Sequence, residues 1–195
     1  INTGDYNAAM LTQFDDLVAD SGFDWRLGDI LPKVLPAGEV AGRLTEAITR
    51  YEGILADSEH IFGPDNLITL ATRNNLADAY SEAGRLTEAI AQFEVALADS
   101  DRILGPDHPI TLTTRNNLAG AYRAVGHLAE AITLYEDILA DRERVLGPDH
   151  PDTLTSRNNL AEAYGAAGRL PEAITLHQDT LTDRERVLGP DHPDT

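Results

Sequence analysis

Over most of the chain the apolar positions recur at helical spacing, and the pattern itself repeats. After Gly84, residues Leu86, Ala89, Ile90, Phe93, Ala96, Leu97, Ile103 and Leu104 fall largely at i, i+3, i+4, i+7 steps, which predicts a helix with one apolar stripe. From about Leu67 to Ala83, residues Leu70, Leu76, Ala77, Tyr80 and Ala83 gather on one side at about 100° per residue, so another helix precedes it. Gly84 ends that first helix, since glycine accepts the left-handed conformation a helix C-terminus often needs. Gly42, Gly84, Gly126 and Gly168 are each 42 residues apart and open the phrases GRLTEAI, GRLTEAI, GHLAEAI and GRLPEAI. On the same period RNNLA recurs at 73–77, 115–119 and 157–161.

Neither helix of such a pair can bury its stripe alone, so successive pairs must stack; a constant small rotation between them makes a superhelix. The predicted fold is all-α, a right-handed α-solenoid of helix-turn-helix units. Residues 42–195 form the array, with the second helix of a partial unit at about 43–62 and helix pairs at about 67–104, 109–146 and 151–188. Residues 1–41 stand outside the repeat. There Met10, Leu11, Phe14, Leu17 and Val18 predict an amphipathic helix over about 6–20, which would cap the stripe of the unpaired helix that follows. Pro32 and Pro36 fall where the missing first helix should lie.

The phrase GPDHP, at 105–109, 147–151 and 189–193, joins Asp and His and so raises the question of a metal or acid/base site. Its position answers otherwise. Gly105 suits a C-terminal cap, Pro106 stops the helix, and Pro109 suits a first helical position, with Asp107 or His108 capping from outside. His108, His150 and His192 are also a repeat apart, on the order of 10 Å if helix packing sets the spacing, too far to share an ion. In the first copy Asn66 replaces the histidine, and Asn is a good N-cap but a poor metal ligand. No metal or cofactor is expected. No nucleophile–base pair, phosphate-binding glycine loop or HExxH occurs either, so the chain is not expected to be an enzyme.

Charge narrows the partners. Asp and Glu outnumber Lys and Arg by 33 to 15, a formal charge of -18, which repels nucleic acid and anionic membrane. A protein or an extended peptide, a basic one above all, suits this surface. Cysteine is absent, which excludes a disulfide framework and leaves the redox compartment open; no apolar run approaches membrane-spanning length and no basic-then-apolar signal peptide opens the chain, so a cytoplasmic location is expected. The runs ADRERV at 140–145 and TDRERV at 182–187 read as solvated helix faces with local ion pairs.

In NNLADAYSEAGRLTEAIAQFEVAL, the spacing of Leu76, Ala77, Tyr80, Gly84, Ala89, Phe93 and Ala96 resembles the tetratricopeptide repeat (TPR) signature. Arg73, Arg115 and Arg157 replace its usual tryptophan. The 42-residue period exceeds the common 34 and, with NNLA and LGPDHPDT, is similar to the longer repeats of kinesin light chains and related bacterial and fungal proteins. The resemblance implies that first helices line a concave groove in which Asn contacts bound peptide.

Helical geometry selects the same residues. Asn74, Asn75, Asp78 and Glu82 project opposite the packing stripe, as do Asn116, Asn117 and Arg123 in the next copy and Asn158, Asn159 and Glu162 in the third. Asn is both donor and acceptor, so a ladder of Asn can bind the backbone of an extended peptide whatever its side chains. The competing role is structural, one Asn of each pair holding the neighbouring repeat. Arg73, Arg115 and Arg157 lie nearer the packing side and are expected in salt bridges between repeats.

Two further expectations concern the ends. Kinesin light chains bind acidic peptides centred on tryptophan, and Asp24-Trp25 in FDWRLGD resembles such a motif, although Arg26 stands where an acid would be expected. In the last helix His177 replaces an aromatic and Thr180 an apolar residue, while Leu170, Ile174, Leu181 and Leu188 are left with a partly open face. The leading function is thus a protein- or peptide-binding scaffold with an Asn-lined groove. A regulatory or sensor segment of a larger multidomain signalling protein, or a self-assembling array joined through its exposed terminal helices, are the alternatives.

Overall fold

The computed structural model describes residues 37–189, and among these it is all-α. The helices are α1 (Ala37–Phe62), α2 (Leu67–Glu82), α3 (Leu86–Leu104), α4 (Pro109–Val125), α5 (Leu128–Leu146), α6 (Pro151–Ala166) and α7 (Leu170–Leu188). The expected pairs are therefore α2/α3, α4/α5 and α6/α7, with α1 beginning some residues before the repeat register would start it. The N-terminal helix expected at 6–20, the FDWRLGD segment and His192 lie outside the described residues. The chain divides into two units, residues 1–72 and residues 73–195.

In the first unit, Ile48 on α1 and Thr69 and Leu70 at the start of α2 are buried. Gly63 between the helices has φ of 85°, a backbone that a Cβ would strain, and its N–H donates to the Glu59 carbonyl at 3.1 Å. The Thr69 hydroxyl donates back to the Gly63 carbonyl at 2.8 Å, and Asn66 Oδ1 accepts from the Ile68 N–H at 2.9 Å. The junction is thus closed at both helix ends by its own residues.

In the second unit the same junction recurs with histidine in place of asparagine. His108 and His150 are N-caps whose Nδ1 accepts the Ile110 and Asp152 N–H, each at 3.2 Å, and Pro109 and Pro151 occupy the first helical turn. Through Nδ1 these histidines take the capping role that Asn66 Oδ1 fills at the first junction. Thr153 repeats the hydroxyl bond to Gly147 at 2.8 Å, whereas the equally buried Thr111 Oγ1 has no partner.

The turn within each pair is of another kind. Gly84 N–H donates to Ser81 and Arg85 N–H to Tyr80; Gly126 and His127 do the same to Arg123 and Tyr122, and Gly168 and Arg169 to Gly165 and Tyr164. This is the Schellman arrangement, which needs the left-handed glycine the sequence supplies. Arg85 and Arg169 then lie over the rings of Tyr80 and Tyr164, at 4.5 and 4.1 Å, and His127 stacks on Tyr122.

The core of this unit is the run of facing stripes. Ala119, Ala131, Ile132, Tyr135, Ile138, Leu160 and Ala163 form one buried cluster, with Phe93 and Ala96 buried on α3. Full burial of one Leu, Ile or Phe contributes about 1.5–3 kcal/mol, so packing between successive pairs is what the period exists to achieve. The expected arginine bridges are present: Arg115 reaches Asp101 of the preceding pair at 3.2 Å and Asp141 of its own at 2.9 Å, and Arg157 reaches Glu143 at 2.7 Å and Asp183 at 2.6 Å. Arg73 meets Asp99 at 2.6 Å, a bridge within its own pair and not between repeats.

The ADRERV run is not simply a solvated face. Arg142 is buried, donating to the Ser156 hydroxyl at 2.7 Å and the Asp152 carbonyl at 3.0 Å, because a guanidinium can be buried where oxygens take its protons. Arg144 stays exposed but pairs with Asp107 of the preceding GPDHP as well as with Asp141, and Arg186 does the same with Asp149 and Asp183. On α7, Thr180 is buried where an apolar residue would be expected, its hydroxyl donating to the Leu176 carbonyl at 2.6 Å, while His177 is exposed.

Candidate functional site

The sequence-selected polar residues lie on α2, α4 and α6, and each asparagine is placed by its step around the helix. Asn74 falls in the seam and is only 8% exposed, where the sequence led us to expect an open position. Its Nδ2 donates to Asp78 Oδ2 at 3.4 Å, and its Oδ1 is buried with no partner. Asn75, about 100° further round, is partly exposed and has no side-chain bond among the described residues. Asn116, Asn117, Asn158 and Asn159 are all partly exposed.

The second asparagine of a pair reaches back one repeat. Asn117 Nδ2 donates to Asp78, at 3.0 Å to Oδ1 and 3.4 Å to Oδ2, and Asn159 Nδ2 donates to Asn116 Oδ1 at 2.9 Å. These bonds fix the register of neighbouring first helices. Each uses one polar atom of an amide, so the carbonyls of Asn117 and Asn159 and the Asn116 NH2 stay available.

The acids differ along the face. Glu162 accepts from Asn158 at 3.0 Å and meets Arg123 of the preceding first helix at 3.3 Å. Asp78, at the equivalent position two helix pairs nearer the N-terminus, has only amide donors among the described residues; Gly120 holds the position between them. Burial, and then the charge of Glu82 one turn away, push the Asp78 carboxyl up to about 7. Glu82 itself is exposed. Tyr122 Oη donates to Glu94 at 2.6 Å and Tyr164 Oη to Glu136 at 2.7 Å, the first of these bonds, with burial, pushing the Tyr122 hydroxyl up to about 12. Sequence reasoning missed the tyrosine bridges, although the recurrence of Tyr 28 residues after a Glu, twice on one period, was there to be read.

Among the described residues no group of His, Asp and Glu could hold a metal ion, and no helix is long and apolar enough to cross a membrane. What the face offers is a row of amides in register, one pair per first helix, with acids on α2 and α6 and Arg123 on α4.

A fold of stacked helix pairs with this register defines a tetratricopeptide solenoid. Tetratricopeptide repeat models match residues 39–102, 111–152 and 153–194, so the chain belongs to that family. It resembles kinesin light chains in particular. A kinesin-light-chain-like protein of Podosopora anserina, made of nearly identical TPR-like repeats, is 31% identical with a TM-score of 0.71, over 80% of this chain and 76% of that one. A single-substitution variant of that protein matches at 27% and 0.70, over 92% and 86%. BtubC (BKLC) from P. vanneervenii, 22% identical with a TM-score of 0.69 over 98% and 78%, shares the fold. No curated protein sequence matches the chain. TPR repeats generally mediate protein–protein interaction, and their fold is typically a non-enzymatic scaffold.

Proposed function

We propose that the chain is a protein- or peptide-binding scaffold that takes an extended segment along the polar face of α2, α4 and α6. The observation that carries this is the half-used asparagine ladder. Asn117 and Asn159 each commit their NH2 to the preceding repeat and keep a carbonyl, Asn116 keeps an NH2, and Asn75 keeps both. Donors and acceptors in that sequence suit a peptide backbone and are indifferent to its side chains. Arg123 and Glu162, already paired, would border the segment, and Asn158 would support Glu162.

A basic partner in the cytoplasm is the reading we favour. Asp78 and Glu82 form an acidic step with no arginine against it, in a chain of formal charge -18, and a cationic side chain seated there would relieve both carboxylates. The test is a set of peptides selected from a random library on the intact chain, remeasured on the combined Asn75→Ala, Asn117→Ala, Asn159→Ala variant. At least a tenfold loss of affinity with helix content preserved is expected. Unchanged binding to a folded triple variant would sink the proposal.

A further inference from the structure

Among the described residues of the polar face, α2 alone sets an acid against amides. At the same repeat position α4 has Gly120, and α6 has Glu162 facing Arg123 at 3.3 Å. The arginines of α2, α3 and α4 are engaged elsewhere: Arg73 and Arg102 with Asp99, Arg115 with Asp101 and Asp141, and Arg123 with Glu162. What faces Asp78 is Asn74 and Glu82 of its own helix and Asn117 of α4. The Asn117 NH2 is shared between both carboxyl oxygens, at 3.0 and 3.4 Å, and so occupies the fork between them. The Asn74 amide, 8% exposed, donates to Oδ2 at 3.4 Å, while its own carbonyl is buried without a partner. The two ends of an amide are alike in shape, and a half-turn of this one brings the orphan oxygen to the carboxyl, where it needs a donor.

We infer that Asn74, Asp78 and Glu82 form a subsite for one lysine side chain of the bound segment, an inference that rests on the peptide-binding reading above. The lysine ammonium takes the place of a proton on Asp78. A guanidinium grips a carboxylate through a two-pronged fork, and Asn117 already fills that edge of Asp78. A compact ammonium needs one lone pair of Asp78 and has two further N–H groups, one for the Asn74 oxygen and one for Glu82 a turn away. In the free chain a proton on Asp78 is the donor that the Asn74 oxygen requires, in keeping with a carboxyl that burial has raised to about 7. The ligand supplies the same donor and brings a positive charge to both acids. Binding therefore releases the proton, and affinity for a lysine-bearing segment rises as pH climbs and the receiving carboxylate forms. With Gly120 and the Arg123–Glu162 pair at the other two copies, the chain has one such subsite, at α2.

The test sets a random peptide library against the whole chain and against its Asp78→Asn variant. Peptides selected on the parent are expected to share a lysine at one fixed position, and those selected on Asp78→Asn are not. Changing that lysine to arginine or to Nε-acetyl-lysine should weaken binding at least tenfold. Affinity for the parent should rise about tenfold from pH 6 to pH 8, as a carboxyl titrating near 7 requires, and stay flat for Asp78→Asn. Calorimetry at pH 6.5 in buffers of different ionisation enthalpy should register proton release with the parent alone. Peptides that depend on the asparagine ladder but carry no fixed lysine overturn this inference and leave the scaffold reading standing. So do lysine peptides that bind Asp78→Asn as well as the parent, or that accept arginine without loss. A library that yields no binder overturns both.

Discussion

Asp78 and Glu162 occupy the same position of the repeat, on the same face of equivalent helices, and they have become different chemical objects. Glu162 faces Arg123 at 3.3 Å. Asp78 faces Asn117 and Asn74, two neutral amides, with Glu82 adding a second negative charge. An amide donor compensates part of the lost hydration of a carboxylate, but it carries no net charge to oppose desolvation. Helix position therefore decides where an acid points, and the residue that the neighbouring helix sets against it decides whether it meets a counter-charge or only a neutral amide.

The largest effect expected from breaking that contrast is Asp78→Asn. Because the folded carboxyl is raised from 3.8 to about 7, the folded state holds a proton more tightly than the unfolded chain, and stability falls as pH climbs between those values. Removing the charge should stabilise the protein at pH 8 by about 2 kcal/mol, leave it nearly unchanged at pH 4, and flatten the dependence between, as read by urea denaturation at each pH. A steeper dependence in the variant would mean that another group titrates. Next in size, Asn117→Ala removes the best donor to Asp78 and a bond between repeats. It should cost about 1–2 kcal/mol at neutral pH and raise the Asp78 carboxyl further, measured by its side-chain carbon resonance on titration. Smallest is Arg123→Ala on the Glu162 side. That pair is partly solvated, so about 0.5 kcal/mol or less is expected, fading with added salt; a larger, salt-independent loss would show that Arg123 acts through packing.

How much of this was legible in sequence depends on whether the information was local. The repeat period, the Schellman glycines, the proline-led helix starts and the buried stripes follow from residues within a few positions of one another, and all appear where the apolar pattern put them. Arginines 73, 115 and 157 could be assigned to bridges because they stand near the packing side. The fates of Asn74 and Asn75 could not be separated, since adjacent residues differ by one step around the helix and the seam falls between them. Arg142 looked like one charge in a solvated run, and only the Ser156 hydroxyl and Asp152 carbonyl brought by the next helix make its burial tolerable. Asp107 was read as a possible cap, but His108 takes that role and Asp107 pairs with Arg144, 37 residues on. In a periodic chain, which copy of an acid meets which copy of a base is settled by the superhelix and not by the motif.

The stitching of one GPDHP junction to the next has a consequence for how such a protein can change length. Arg144 returns to Asp107, Arg186 to Asp149, Asn159 to Asn116, so each of these three bridges closes on the adjoining copy. A gene segment of 126 nucleotides cut anywhere in this phrase therefore encodes a part that brings both halves of its own fasteners, and a duplication or deletion of that segment rejoins Arg to Asp and amide to amide across the new seam.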